Sequence, residues 1–209
     1  LASTVPSVRT YDPAFAWELA ILVCFGIQRM FVEDHDELFY LMMYNEALPM
    51  PARPAHEALD EGVVRGGYLL EPAAGDGPRV NLLGSGTILF EVMQAAETLR
   101  EEGYSVAVYS ITSYIELARD AERAEQADAD PAWLDTIFPE TDVPIVAATD
   151  YVRALPRMIA SWIKGSFTAL GTDGFGMSER RSDLRAHFNV DAASIADAAR
   201  KLASSKVRT

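Results

Sequence analysis

The chain has 209 residues, 49% of them apolar and 23% charged, with 31 acidic side chains against 18 basic and a formal net charge of −13. The length exceeds the usual single-domain mode of roughly 100–150 residues, so one large domain, or one and a half smaller ones, is expected in a soluble globular protein. The acidity argues against nucleic acid and against an anionic membrane surface, both of which are held by Lys and Arg, and a single cysteine excludes a disulfide framework or a CxxC site.

No charged n-region, apolar h-region and cleavage site opens the chain, which points to the cytoplasm, and Leu1 in place of Met suggests that the native start lies elsewhere. Asp12-Pro13 is expected to open a helix, with Asp12 as N-cap and Pro13 at the first helical position. The run Ala14 to Phe31 is apolar on almost every face and so predicts burial on most sides. Glu18, Gln28 and Arg29 interrupt it before the roughly 20 clean residues a membrane span requires. Cys24, with no basic neighbour, reads as an inert buried thiol.

Leu38 to Tyr44 is continuously apolar and aromatic, the pattern of a strand buried on both faces at the centre of a parallel sheet. One helix cannot cover both faces of a lone strand, so residues 1–46 are expected to be the last helix and strand of a larger α/β domain. Pro49, Pro51 and Pro54 mark an extended linker over residues 47–60.

From residue 61 to 209 strand and helix alternate, as in a Rossmann-like or flavodoxin-like sheet. Gly67 to Glu71 is a strand, and the turn Ala74 to Pro78 allows Arg79 to Leu83 to return antiparallel to it. Thr87 to Glu102 is an amphipathic helix ended by Gly103, and Tyr104 to Thr112 is a strand. Ser113 caps a helix that runs from Tyr114 into the acidic stretch Ala121 to Asp130. Pro144 to Thr149 is a short buried strand, Ala154 to Lys164 a helix, and Ser166 to Leu170 a strand. Glu179 to Phe188 and Ala192 to Ser204 are helices with Ser178 and Asp191 as caps.

Little of this names a reaction. Gly84-Ser85-Gly86-Thr87 joins a strand to a helix, where open α/β sheets present N–H groups to anions, yet it lacks the residues of a dinucleotide fingerprint, a P-loop or a nucleophile elbow. A structural turn is the simpler reading. His35, His56 and His187 are scattered and predict no metal site. Glu116, Asp120, Glu122, Glu125, Asp128 and Asp130 read as a solvated face. The densest turn segment, Gly171, Thr172, Asp173, Gly174, Phe175, Gly176 and Ser178, follows a buried strand and is the candidate binding or interface loop.

That same loop, with Leu184 to Ala192 after it, resembles the closing segment of the homodimeric bacterial pyruvate dehydrogenases, the thiamine-diphosphate-dependent decarboxylating enzymes of the pyruvate dehydrogenase complex. Further matches come in the family's order: Tyr11-Asp12-Pro13-Ala14 with Glu18; Tyr44-Asn45-Glu46 with Met50-Pro51; Leu82 to Gly86; Tyr109-Ser110 with Thr112-Ser113 and Glu116 to Asp120; and Ala148 to Tyr151. Met177-Ser178-Glu179 departs from the Arg and Ser-Asp usual after the Gly-Phe-Gly, and Ala121 to Asp130 departs from a Cys- and aromatic-rich stretch.

The resemblance implies a mixed, mostly parallel sheet with helices on both faces, of the transketolase carboxy-terminal type, at residues 61–209, behind a helix-strand remnant of the pyrimidine-binding middle domain at 1–46. It implies a parent enzyme that uses thiamine diphosphate and magnesium to decarboxylate pyruvate and reductively acetylate lipoyl groups. The implied partners are the rest of the same polypeptide, a second copy, and the lipoyl-bearing acyltransferase. The family's cofactor-activating glutamate, metal ligands and active-site histidines fall upstream of Tyr11. No catalytic, cofactor or metal residue is therefore assigned here, and the segment alone is expected to be inactive, structural and dimer-forming. The competing expectation is a separately encoded, non-catalytic interaction subunit of such a dehydrogenase.

Overall fold

A computed structural model describes residues 2–55, 58–127 and 131–206. In chain order the elements are β1 (Val8–Tyr11), α1 (Ala16–Ile27), β2 (Leu38–Leu41), α2 (Leu59–Arg65), β3 (Tyr68–Glu71), β4 (Arg79–Gly84), α3 (Ile88–Glu101), β5 (Ser105–Ser110), α4 (Tyr114–Ala127), α5 (Trp133–Ile137), β6 (Ile145–Ala148), α6 (Ala154–Arg157), β7 (Phe167–Leu170), α7 (Arg181–His187) and α8 (Ala192–Lys206). The larger sheet has the order β3-β5-β4-β6-β7, parallel except for β3, which runs antiparallel to β5.

The expected hairpin between β3 and β4 does not form: β5 lies between them. Strands β4, β5 and β6 carry Val80, Leu82, Leu83, Val106, Val108, Ile145 and Val146, all at 2% exposure or less. They are buried because helices cover both faces. Alternate strand residues pack against α3 and α8 on one side and against α4 and α5 on the other.

Residues 1–46 hold one more strand than expected. Val8–Tyr11 pairs in parallel with Leu38–Leu41, so the unit is strand-helix-strand rather than helix-strand. The short run Val8-Arg9-Thr10-Tyr11 mixes polar and apolar residues and carries little strand signal of its own. Helix α1 begins at Ala16, with Phe15 as N-cap, because Asp12 is drawn away into the interior, and Gln28–Val32 continue it as a π-helix. Only Glu18, Leu22 and Gly26 of α1 are buried, one stripe at four-residue spacing. Cys24 is exposed, contrary to the buried reading.

Strand β2 is likewise not a covered central strand, since Leu38 is 63% and Tyr40 55% exposed. Leu22 of α1 is buried within this chain, packed with Tyr11, Leu59, Val63 and Tyr68, whereas Met43, just beyond β2, is 75% exposed.

Three later expectations change. The helix expected over 154–164 breaks into α6 and a 3-10 turn at Ala160–Trp162. Ser178 caps nothing, since α7 starts at Arg181 behind Arg180, and the first amide of α8 is taken by Glu91 Oε2 at 3.0 Å. The acidic face of α4 is only partly solvated: Glu116 is 4% exposed, paired with Arg9 at 2.6 Å and Arg119 at 2.9 Å. Asp128, Asp130 and His56 lie outside the described residues.

Candidate functional site

The chemistry-bearing side chains gather along the seam between the strand-helix-strand unit and the five-stranded sheet. Glu18, fully buried on α1, accepts from Ala14 N at 2.6 Å and Phe15 N at 3.0 Å through one oxygen. Its other oxygen accepts from Tyr68 Oη of β3 and Ser110 Oγ of β5, each at 2.6 Å. Burial pushes its pKa up, and the hydrogen bonds from Ser110 and Tyr68 act the other way. Four donors on one carboxylate make a structural junction, because no lone pair is left facing a substrate.

Asp12 is the second junction. Its backbone donates to Thr112 O at 2.7 Å and accepts from Gly86 N at 3.1 Å, which fixes it over the strand-to-helix turn 84–87. Tyr44 Oη donates to Asp12 Oδ1 at 2.5 Å, and Tyr151 Oη lies 3.4 Å from Tyr44 Oη. Burial pushes the Asp12 carboxyl up to about 6, against the lowering pull of the Tyr44 hydrogen bond.

The turn itself is occupied from within. Gly86 has φ +50°, and a Cβ there would meet Asp12 Oδ1 and Tyr44 Oη at 2.6 Å. Ser85 Oγ and Thr149 Oγ1 bond across the turn at 2.9 Å. Gly86 N is already given to Asp12 O, and an anion placed beside it would face the Asp12 carboxylate.

A cavity of roughly 390 Å³ opens at the carboxyl ends of β6 and β7, bordered by Tyr44, Glu46, Thr87, Asp150, Phe175 and Arg181. Arg185 spans it, holding Glu46 at 2.9 Å and Glu91 at 3.1 Å. Burial pushes the Asp150 carboxyl up.

The candidate loop divides between two surfaces. Thr172, Gly174, Phe175 and Gly176 line this cavity, Gly171 and Asp173 line a neighbouring one beside α8, and Ser178 borders neither. The loop base is pinned: Thr172 Oγ1 donates to Asp150 O at 2.6 Å, and Arg153 grips Asp173 at 2.6 Å. Gly171 is required there because a Cβ would lie 2.4 Å from Tyr151 O. The tip projects, with Phe175 95% exposed.

Sequence reasoning missed Glu18, Asp12 and Tyr44 as a network, reading the first as an interruption and the second as a cap. A lone carboxylate inside an otherwise apolar helix was the available signal, since it must be either exposed or fully partnered. Among the described residues, no group of three or more His, Cys, Asp or Glu is arranged to hold a metal ion, and no helix is long and apolar enough to cross a membrane.

Comparison with known proteins follows the seam. A family model described as the transketolase-like TK C-terminal domain matches residues 66–191, and one described as the pyruvate dehydrogenase E1 component middle domain matches residues 1–51. The pyruvate dehydrogenase E1 component of Corynebacterium glutamicum is 42% identical over 93% of the chain, and that of Escherichia coli K12 is 39% identical over 94%. The chain spans 22% and 23% of the length of these two relatives. Among solved structures, transketolase from Leishmania mexicana superposes with a TM-score of 0.70 at 19% identity, over 97% of this chain and 26% of that one, a likeness of fold.

Proposed function

The chain belongs to the family of transketolase-like carboxy-terminal domains, and from that premise we propose that it is the carboxy-terminal portion of a pyruvate dehydrogenase E1 component. The observation that carries this reading is a 42% identity that runs over 93% of the chain, through both units and the seam between them. Residues 1–46 are then the tail of the middle domain, 47–60 the linker, and 61–209 the carboxy-terminal domain. The parent polypeptide decarboxylates pyruvate with thiamine diphosphate and magnesium, passes the acetyl group to a lipoyl-bearing acyltransferase, and acts as a homodimer in the cytoplasm.

The residues of this chain do not fit the cofactor. The strand-to-helix glycine turn at 84–87 is faced by the Asp12 carboxylate, which opposes a diphosphate. The segment's own part is architectural: it closes the middle domain through the Glu18 and Asp12 junctions and offers the loop at 171–176 and Ser178 as an interface. It has no decarboxylase activity by itself.

Intact mass and activity of the polypeptide purified from its source test this. A chain several times longer that decarboxylates pyruvate is expected. A native polypeptide ending near these 209 residues, co-purifying with a cofactor-bearing chain, would establish the separately encoded interaction subunit instead. Decarboxylation by the homogeneous 209-residue chain would overturn the architectural role.

A further inference from the structure

Within the seam lie three buried polar atoms with no protein partner: Thr10 Oγ1, Asp12 Oδ2 and Tyr114 Oη. Their residues are 7%, 4% and 2% exposed. Thr10 and Asp12 are two residues apart on extended chain leaving β1, so their side chains fall on one side. Tyr11 between them turns to the other, where its hydroxyl donates to Val64 O at 2.8 Å. The backbone holds this pair in place, through Asp12 N to Thr112 O at 2.7 Å and Ser113 Oγ to Thr10 O at 2.6 Å. Tyr114, the first residue of α4, faces the same place, and all three residues border one cavity of about 20 Å³ together with Ser85, Met42 and Leu155.

We propose that this cavity is an internal hydration site, in which one water bonds Thr10 Oγ1, Asp12 Oδ2 and Tyr114 Oη and so joins β1 to α4. The volume suits a single water, which needs roughly 10–15 Å³, and three polar partners is the usual number for a buried one. The donor balance also closes. The water donates to the carboxylate, accepts from the tyrosine hydroxyl, and exchanges its remaining hydrogen bond with the threonine hydroxyl, which serves as donor or acceptor. A hard cation fits less well, because calcium takes 6–8 oxygens and magnesium a full octahedron.

Water on Oδ2 and Tyr44 on Oδ1 then hold opposite oxygens of one carboxylate, fixing its plane where the two units meet. The site couples Thr10 to Tyr114, which share no direct hydrogen bond.

A high-resolution crystal structure of the protein tests this, with Thr10→Val, Tyr114→Phe and the double variant. Density for one water within hydrogen-bond distance of the three oxygens is expected, and it should be gone in the double variant. Direct pairing of the three oxygens with protein groups, or a peak with six or more oxygen ligands, overturns the proposal. Thermal unfolding provides a second readout. The Tm losses of the two single variants should sum to more than that of the double variant, because the second substitution removes a water that the first has already loosened. Strictly additive losses also overturn it.

Discussion

Two strands in this protein are equally apolar and end in opposite environments. Strand β5 in the five-stranded sheet is buried at every position, whereas β2 in the two-stranded sheet alternates between exposed and half-buried. Local composition does not separate them: Val106-Ala107-Val108-Tyr109 and Leu38-Phe39-Tyr40-Leu41 both have the unbroken apolar character of a strand buried on both faces. The difference is what the chain places on each face. Helices α3, α4, α5 and α8 sandwich the larger sheet, while α1 and α2 pack on the Tyr11, Phe39 and Leu41 side of the smaller one and leave Leu38 and Tyr40 exposed. Apolar composition alone therefore does not decide whether a strand is covered.

The junction between these regions is the place where a single substitution should cost most. Replacing Glu18 by Ala leaves Tyr68 Oη, Ser110 Oγ and two backbone amides unpaired in the interior. At roughly 1–3 kcal/mol for each buried unsatisfied group, the loss is expected to exceed about 4 kcal/mol in urea unfolding. A loss under about 1 kcal/mol would show that the units fold without this lock. Within the large sheet, Leu82→Ala opens a cavity at a fully buried position between α3 and its neighbours and is expected to cost roughly 2–5 kcal/mol.

Much of the large sheet was legible because strand and helix alternate with clear boundaries; β4, α3, β5 and β6 fall close to their expected ranges. What was not legible depends on distant partners. Val8–Tyr11 becomes a strand only because Leu38–Leu41 lies beside it, and β3 pairs with β5 although the turn at 74–78 favours β4. The same holds at the candidate site. The glycine-rich loop was visible from its composition, but Asp12 looked like a cap because nothing in the sequence shows Tyr44 arriving 32 residues later to take its carboxylate. The helix expected over 154–164 loses its four-residue ladder after Arg157, where Met158, Ile159 and Trp162 bond three residues back, and Pro156, in the first turn, does not account for it.

Two carboxylates of the small unit should give pH dependences of opposite sign. Asp12 titrates near 6 when folded against 3.8 ordinarily, so between those values the folded protein keeps a proton that the unfolded chain has released. Its contribution to stability therefore falls as pH rises through that window, by no more than about 3 kcal/mol. Glu37 is held down to about 2, chiefly by Arg29, with Arg9 beside it. Its contribution is present above the ordinary value of 4.5 and is lost as pH falls toward 2. Asp12→Asn, which keeps an acceptor for Tyr44, should flatten the difference in unfolding free energy between pH 4 and pH 7. An unchanged slope would mean that Asp12 is ionised throughout.

The smallest effect on stability is expected where the apolar signal is strongest and the cover thinnest. Leu38→Lys on β2 alters a side chain that is 63% exposed, next to a sheet edge that no other strand of the described residues pairs. The unfolding free energy should move by less than about 0.5 kcal/mol, far less than at Leu82. Self-association should respond instead, because Phe31, Val32, Leu38, Tyr40 and Met43, all more than half exposed, present apolar surface of the kind that drives chains together. A lysine on an edge strand opposes that pairing at the cost of one desolvated charge. Sedimentation velocity of the 209-residue chain is expected to show association that weakens in Leu38→Lys. A parent chain that stays monomeric at high concentration would break the contrast between the sheets, since β2 would then tolerate water as its normal environment.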